Sequence, residues 1–330
     1  MPDSLVAETM RAFQAGILAR EQLQTAMLVR GWMHVEDKLQ ADIDALAVDL
    51  AAEKAAGRSV SQAKLYRMQR YQTLLGQLHT EVNQYIATTA DSITARQLEL
   101  AGLGIDQAAQ AIELSSPTIL TSFNRLPVSA VHNMIGLAGD GSPLRTLLAA
   151  SYPDAVEGIT GALIRGTALG WHPTKTARAM RQGSEMGLQR SLTIARTEQL
   201  RTLRTASQMQ YQASGVVSAL MWHCANTPRT CLACLAKSGT IIPLNEPMAE
   251  HVNGRCSALP VLINRPLPTF QTGQQWFEQQ DETLQREMMG PGTFTAWKDG
   301  AFKFEDLARI TSDPTWGKSI GVRPLGELVA

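Results

Sequence analysis

The stretch Trp222–Pro260, WHCANTPRTCLACLAKSGTIIPLNEPMAEHVNGRCSALP, holds all four cysteines of a 330-residue chain. Cys231 and Cys234 form a C-x-x-C knuckle, and a second short-spaced pair, His251 and Cys256, follows after sixteen intervening residues. Zinc takes four soft or borderline donors in a tetrahedron, and two such pairs separated by a loop of this length supply one. The reading is a closed, structural zinc site at Cys231, Cys234, His251 and Cys256. Cys224, seven residues ahead of the knuckle, is the spare thiol and the substitute for His251 as fourth ligand. Two other states of the cysteines stand beside this one: reduced thiols packed as small hydrophobes, and two disulfides in an oxidising compartment. Zinc in a small site contributes folding energy on the order of 10 kcal/mol, which would hold a segment so poor in large apolar residues.

The same donors do not spell a catalytic motif. Nucleobase deaminases pair H-x-E with P-C-x-x-C, but His34-Val35-Glu36 lies far upstream in a helical pattern, and Arg229 and Thr230 separate Pro228 from the knuckle. H-E-x-x-H, G-x-S-x-G and G-x-x-x-x-G-K-[ST] are missing from the sequence. Ser61-Gln62-Ala63-Lys64 fits S-x-x-K without its partner motifs. His223 beside Cys224 is the nearest nucleophile and base, but adjacent residues on a strand point to opposite faces. The expectation is a protein that binds and does not catalyse.

Outside this stretch, Lys plus Arg and Asp plus Glu number 30 each, so no net charge announces nucleic acid or membrane. The length suggests about two domains, and plentiful Ala, Leu, Gln and Met lean towards helix. The start, MPDSLVAETMR, lacks the basic and apolar regions of a signal peptide, and no run of apolar residues is long enough to span a membrane. A reducing cytoplasm is therefore expected, which favours metal over disulfide.

From Leu23 to Ala56 the residues Leu28, Trp32, Val35, Leu39, Ile43, Leu46 and Leu50 recur at helical spacing and predict one long amphipathic helix. Gly57 to Ser59 reads as a turn into a second helix with the stripe Leu65, Met68, Tyr71, Leu75, Leu78, Val82 and Tyr85. Together they predict an antiparallel hairpin whose stripe must face a third helix, at Asp91–Leu114, or another chain. His34 and His79 read as ordinary helix residues. Residues 1–115 form this arm, 116–142 a breaker-rich connector, 143–265 short helices and the cysteine segment, and 266–330 a helical subdomain with an extended tail.

Ser142-Pro143 reads as a helix cap. Helices are expected at Leu144–Ala150, Asp154–Thr167, Thr174–Arg181 and Glu185–Ala213, the last stopping at Gly215. Val216–Trp222 and Ala258–Ile263 read as strands, with a hairpin at Leu235–Pro243 turning at Lys237-Ser238-Gly239. Further helices are expected at Gln274–Gln280, Glu282–Met289, Thr293–Lys298 and Phe304–Ile310, where Trp276, Phe277, Phe294, Trp297, Phe302, Phe304 and Trp316 supply a packing layer. The fold class is α+β, mostly helical: a long helical hairpin followed by a small zinc-stapled sheet and short helices. Residues 161–210 carry eight Lys and Arg against two Glu. Arg178, Arg181, Arg190, Arg201 and Arg204 are candidate phosphate contacts, and the alternative is a solvated face.

The succession Ile194-Ala195-Arg196-Thr197-Glu198, Trp222, Cys231-Leu-Ala-Cys234, Gly239 and His251 through Arg255-Cys256 resembles the head morphogenesis domain of the phage Mu F-like minor capsid proteins. The run Trp276, Gln285, Gly290, Trp297, Gly300 and Leu307, and the entry Asp140–Leu144, are similar in order, so the resemblance covers about residues 135–312. That family commonly has H-P-x-C-R-C at the second pair, whereas Gly254 stands here where a cysteine would be. The resemblance implies a minor structural protein of a tailed-phage or prophage head, inside the capsid with the portal protein. It also marks Arg196, Thr197 and Glu198 as motif residues, read here as a polar network fastening their helix to the knuckle. Expected partners are the portal or major capsid protein, a second copy through the arm, and packaged DNA. The competing reading is a soluble zinc-containing DNA-binding module that is not part of a virion.

Overall fold

Apolar residues three and four apart build long helices at the start of the chain, and the computed structural model describes them within residues 3–58, 61–115, 123–313 and 315–329. The chain is mostly helical with two small antiparallel sheets. It divides into two units, one of Met1–Ala19, Arg96–Ile135 and Thr197–Ala330, the other of Arg20–Ala95 and Gly136–Arg196. Among the described residues no helix is long and apolar enough to cross a membrane.

In the unit of Arg20–Ala95 and Gly136–Arg196, α1 (Leu5–Ala55), α2 (Gln62–Arg67) and α3 (Gln69–Ser115) carry the expected stripes. Leu28, Trp32, Val35, Leu39, Ile43, Leu46 and Leu50 are all buried, as are Leu65, Tyr71, Leu78, Val82 and Tyr85. Leu74 is the buried residue where Leu75 was expected. Helix α1 starts at Leu5, well before Leu23, and the expected third helix at Asp91–Leu114 is the continuation of α3. Ser59 of the expected turn and residues 116–122 of the expected connector lie outside the described residues.

The stripes are covered within this unit, which corrects the expectation of an unmet arm face. Helices α4 (Leu144–Leu148), α5 (Ser151–Leu169) and α6 (Pro173–Ser214) do the covering. Tyr71 Oη lies 2.7 Å from Thr160 Oγ1, and the Trp32 and Tyr85 rings meet edge to face at 5.1 Å. Helix α6 does not break near Gly183 as expected. A Cβ at Gly183 would strike the Gly158 backbone and the reverse holds too, so the two glycines permit a close helix crossing. Ser142 does not cap α4: its Oγ donates to Asp140 Oδ1 at 2.6 Å, and Pro143 occupies the cap position.

In the other unit Gly104 of α3 plays a similar part, since a Cβ there would meet the Leu203 carbonyl oxygen at 2.5 Å. Strands β1 (Val217–His223), β2 (Ile241–Pro243) and β3 (Ser257–Leu262) form one antiparallel sheet in the order β2-β1-β3. Pairings Trp222↔Ala258 and His223↔Ser257 fix its register beside the cysteines. Val6, Met10, Ile112, Tyr211, Leu220 and Leu259 make one buried cluster on this sheet.

The knuckle is followed by a helix, α7 (Leu232–Lys237), where a strand was expected. Its Leu232 and Leu235 pack into an aromatic cluster with α8 (Gly273–Glu278), α9 (Glu282–Met289) and α10 (Pro291–Lys298). Phe277 is fully buried there, with ring centroids 5.6 Å from Trp297 and 5.1 Å from Phe304. A 3-10 turn at Phe304–Leu307 leads into β4 (Ala308–Asp313), where a helix through Ile310 was expected. The tail is not extended: β5 (Gly317–Val322) pairs with β4 and α11 (Leu325–Leu328) follows. Exposed and half-buried positions alternate along Arg309–Ser312, a period-two pattern that favours the hairpin.

Candidate metal centre

Cys231 has extended backbone angles and sits at the N-cap of α7, where its Sγ accepts the Cys234 N–H at 3.4 Å. One helical turn thus brings the two knuckle thiols together, and α7 is fixed in turn by Leu232 and Leu235 in the aromatic cluster. The loop after β2 delivers Glu250 and His251, and Cys256 stands immediately before β3. Two overlapping groups result: Cys231, Cys234 and His251 have ligand atoms all within 4.8 Å of one another, and so do Cys234, Glu250 and Cys256. These residues could hold a metal ion. All four cysteines are free thiols. Cys224 belongs to neither group; its Sγ donates to Asn226 Oδ1 at 3.1 Å, and burial pushes its pKa up to about 12.

The donor chemistry suits zinc: thiols are soft ligands, imidazole is borderline, and all lie at the edge of a dry core. His251 Nδ1 lies 2.8 Å from the Val252 carbonyl oxygen. A carbonyl only accepts, so Nδ1 carries the proton, and Nε2 is left as the coordinating atom of the neutral ring. The hydrogen bond with Cys234 lowers the pKa of Cys231 to about 4 against the opposing effect of burial, with His251 adding to the drop. The same contact with Cys231 raises His251 to about 9, and Cys231, Cys256 and burial push Cys234 upward. At Cys256 the bond with Cys234 lowers the pKa, but burial and the Glu250 charge outweigh it and bring it to about 11. Binding a metal here would release the remaining thiol protons.

The ligand loop is tied to α6. Asn253, at φ 64°, donates its N–H to Thr197 Oγ1 at 3.2 Å, and Arg204 donates to the Gly254 carbonyl at 3.2 Å. Burial lowers the pKa of Arg204, and the Glu250 carboxylate opposes that drop. Glu198 is buried and pairs with Arg201 at 3.7 Å, while Arg196 bonds to Glu21. Of the other candidate phosphate contacts, Arg190 pairs with Asp154 at 3.1 Å and Arg181 bonds to Gln40. Arg201 reaches the Trp316 carbonyl at 3.3 Å, and Arg178 is exposed. Sequence reasoning missed Glu250 and Arg204 as members of the centre. The available signal was a carboxylate directly preceding the ligand-pair histidine.

No curated protein and no solved structure matches the chain significantly. The pattern of the family described as Phage Mu protein F like protein matches residues 157–259, a span that runs from α5 to β3 and contains both ligand pairs. Residues 157–259, and with them every candidate ligand, are similar to the phage Mu protein F-like family.

Proposed function

We propose that this protein is a minor structural component of a tailed-phage or prophage head, placed inside the capsid with the portal protein and acting by binding. The observation that carries the reading is the family match over residues 157–259, which spans the whole thiol and imidazole cluster. In this reading a zinc ion is structural and held by the Cys231, Cys234 and His251 group together with its neighbours around Cys234. When bound it fastens the loop after β2 to the start of α7, and the aromatic cluster beneath keeps α7 in place. Partners are the portal or major capsid protein.

The test is mass spectrometry of purified particles beside heads assembled without portal protein, with metal content measured on the isolated chain. The expected result is the chain in complete particles, its loss from portal-less heads, and about one zinc per chain. Its absence from complete particles would overturn the head reading. The competing DNA-binding module needs open arginines along α6, yet Arg181, Arg190 and Arg201 already have protein partners. Tight, salt-dependent duplex binding by the isolated chain would favour that module.

A further inference from the structure

Glu250 carries a charge into a place where a carboxylate is costly. Its side chain is 1% exposed, and a buried carboxylate needs strong compensation. Oε1 accepts the His251 N–H at 3.1 Å and the Cys234 thiol at 3.4 Å, and it lies 3.5 Å from His251 Nε2. Oε2 accepts the Cys256 N–H at 3.0 Å. One oxygen therefore faces two candidate ligands, and the other anchors the backbone of a third.

The distances are those of a coordination shell. Donors bound to zinc at about 2.0–2.3 Å in a tetrahedron are about 3.3–3.8 Å apart. Glu250 Oε1 stands at such an edge from both Cys234 Sγ and His251 Nε2. The Cys256 thiol shares a group with Cys234 and Glu250, and of these two it is Glu250 whose oxygen also lies 3.5 Å from His251 Nε2. Gly254 completes the picture, because a Cβ there would fall on the Cγ, Cδ and Oε1 of Glu250. The loop leaves that space for the carboxylate.

We propose that Glu250, through Oε1, is the fourth ligand of the metal with Cys231, Cys234 and His251, and that Gly254 is the residue that admits it. Cys256 then serves as the backbone anchor of the carboxylate and not as a ligand. This rests on the metal reading above and specifies its donor set. Two thiolates, an imidazole and a carboxylate give a neutral ring and three negative charges around a dication, and Arg204 at the Gly254 carbonyl offsets the excess.

The test uses the full chain loaded with Co(II) as a spectroscopic stand-in for zinc. Titration gives affinity, and the sulphur-to-cobalt charge-transfer band reports the number of thiolates. Expected are an unchanged band in Cys256→Ser, and an affinity loss of about ten- to a hundredfold in both Glu250→Gln and Gly254→Ala. The Glu250→Ala/Gly254→Ala double variant should bind no more weakly than Glu250→Ala alone, because both changes remove the same ligand. A band that falls by a third in Cys256→Ser, with Glu250→Gln retaining full affinity, overturns this assignment while leaving the metal reading intact. A wild-type chain that takes up no stoichiometric metal overturns the metal reading itself. The Cys256→Ser band is read without any change at Glu250, so the proposal stays testable even if the glutamate variants fold poorly.

Discussion

Removing the metal should release the ligand loop while sparing the helix that carries the knuckle. The loop from Leu244 to Cys256 has thirteen residues and contains no helix or strand. Fixing its backbone costs about 13 kcal/mol at ~1 kcal/mol per residue. At least seven hydrogen bonds reach it from outside: from Gln208 to the Leu244 and Glu246 carbonyls, from Gln212 to Leu244, from the Ile320 N–H to Ala249, from Asn253 to Thr197, from Arg204 to Gly254 and from Gln14 to Arg255. At about 1 kcal/mol net each they return roughly 7 kcal/mol, which leaves a shortfall of roughly 6 kcal/mol. Metal binding at about 10 kcal/mol would exceed that shortfall, so the loop is expected to be ordered in loaded protein and to open without the ion.

The assay is amide hydrogen exchange on loaded and chelated protein, with metal content checked in both samples. Protection across Leu244–Cys256 should fall by roughly three orders of magnitude, the equivalent of the about 4 kcal/mol by which metal binding exceeds the shortfall. Protection in α7 and β1 should change little, because Trp222, Leu232 and Leu235 are buried in the aromatic cluster whether or not an ion is bound. Equal protection of the loop in the two samples would refute the reasoning.

Other expectations follow from the packing. Phe277→Ala removes the fully buried ring at the centre of the aromatic cluster and should cost about 3–5 kcal/mol in urea unfolding. Gly183→Ala places a methyl group against the Gly158 backbone, and a loss of about 1–3 kcal/mol in the same assay is expected; no loss would show that the crossing is looser than described. His223 is fully buried, and burial lowers its pKa to about 4 from an ordinary 6.5, so the fold favours the neutral ring. Its contribution is present above pH 6.5 and is lost as the pH falls towards 4, to a total of about 3 kcal/mol. The difference in stability between wild type and His223→Asn, followed over that range, should carry this slope, and parallel curves would remove the assignment.

Much of the helical region was legible because burial there follows a period of 3.6, which the sequence displays directly. The stripe from Leu28 to Leu50 is buried at every position named from spacing alone. Glycine was the weaker guide. Gly183 looks like a break in a one-dimensional pattern, yet it lies inside a helix, where another backbone comes within contact distance, as Gly104 does in α3. Close approach is a tertiary fact and leaves no mark on local propensity. The partner of the arm was illegible for the same reason: a stripe announces that it will be buried, not by what.

At the centre, spacing pointed to Cys231, Cys234 and His251, because a short-spaced pair constrains geometry over one turn of chain. It could not rank Cys256 against Glu250, since that depends on which atoms the loop turns inward. Asn253 in the left-handed region and Gly254 with its missing side chain turn the carboxylate of Glu250 towards Cys234. Nor could spacing show that the segment has a hydrophobic centre of its own. The short helix after Cys231 contributes Leu232, Ala233, Leu235 and Ala236 to a cluster completed by aromatics more than forty residues further on. In the metal reading the ion and the core therefore hold different things: the core fixes α7 and its thiols, and an ion would recruit the loop. A protein built this way can fold its scaffold first and close the ligand loop afterwards, against α6, which carries Thr197.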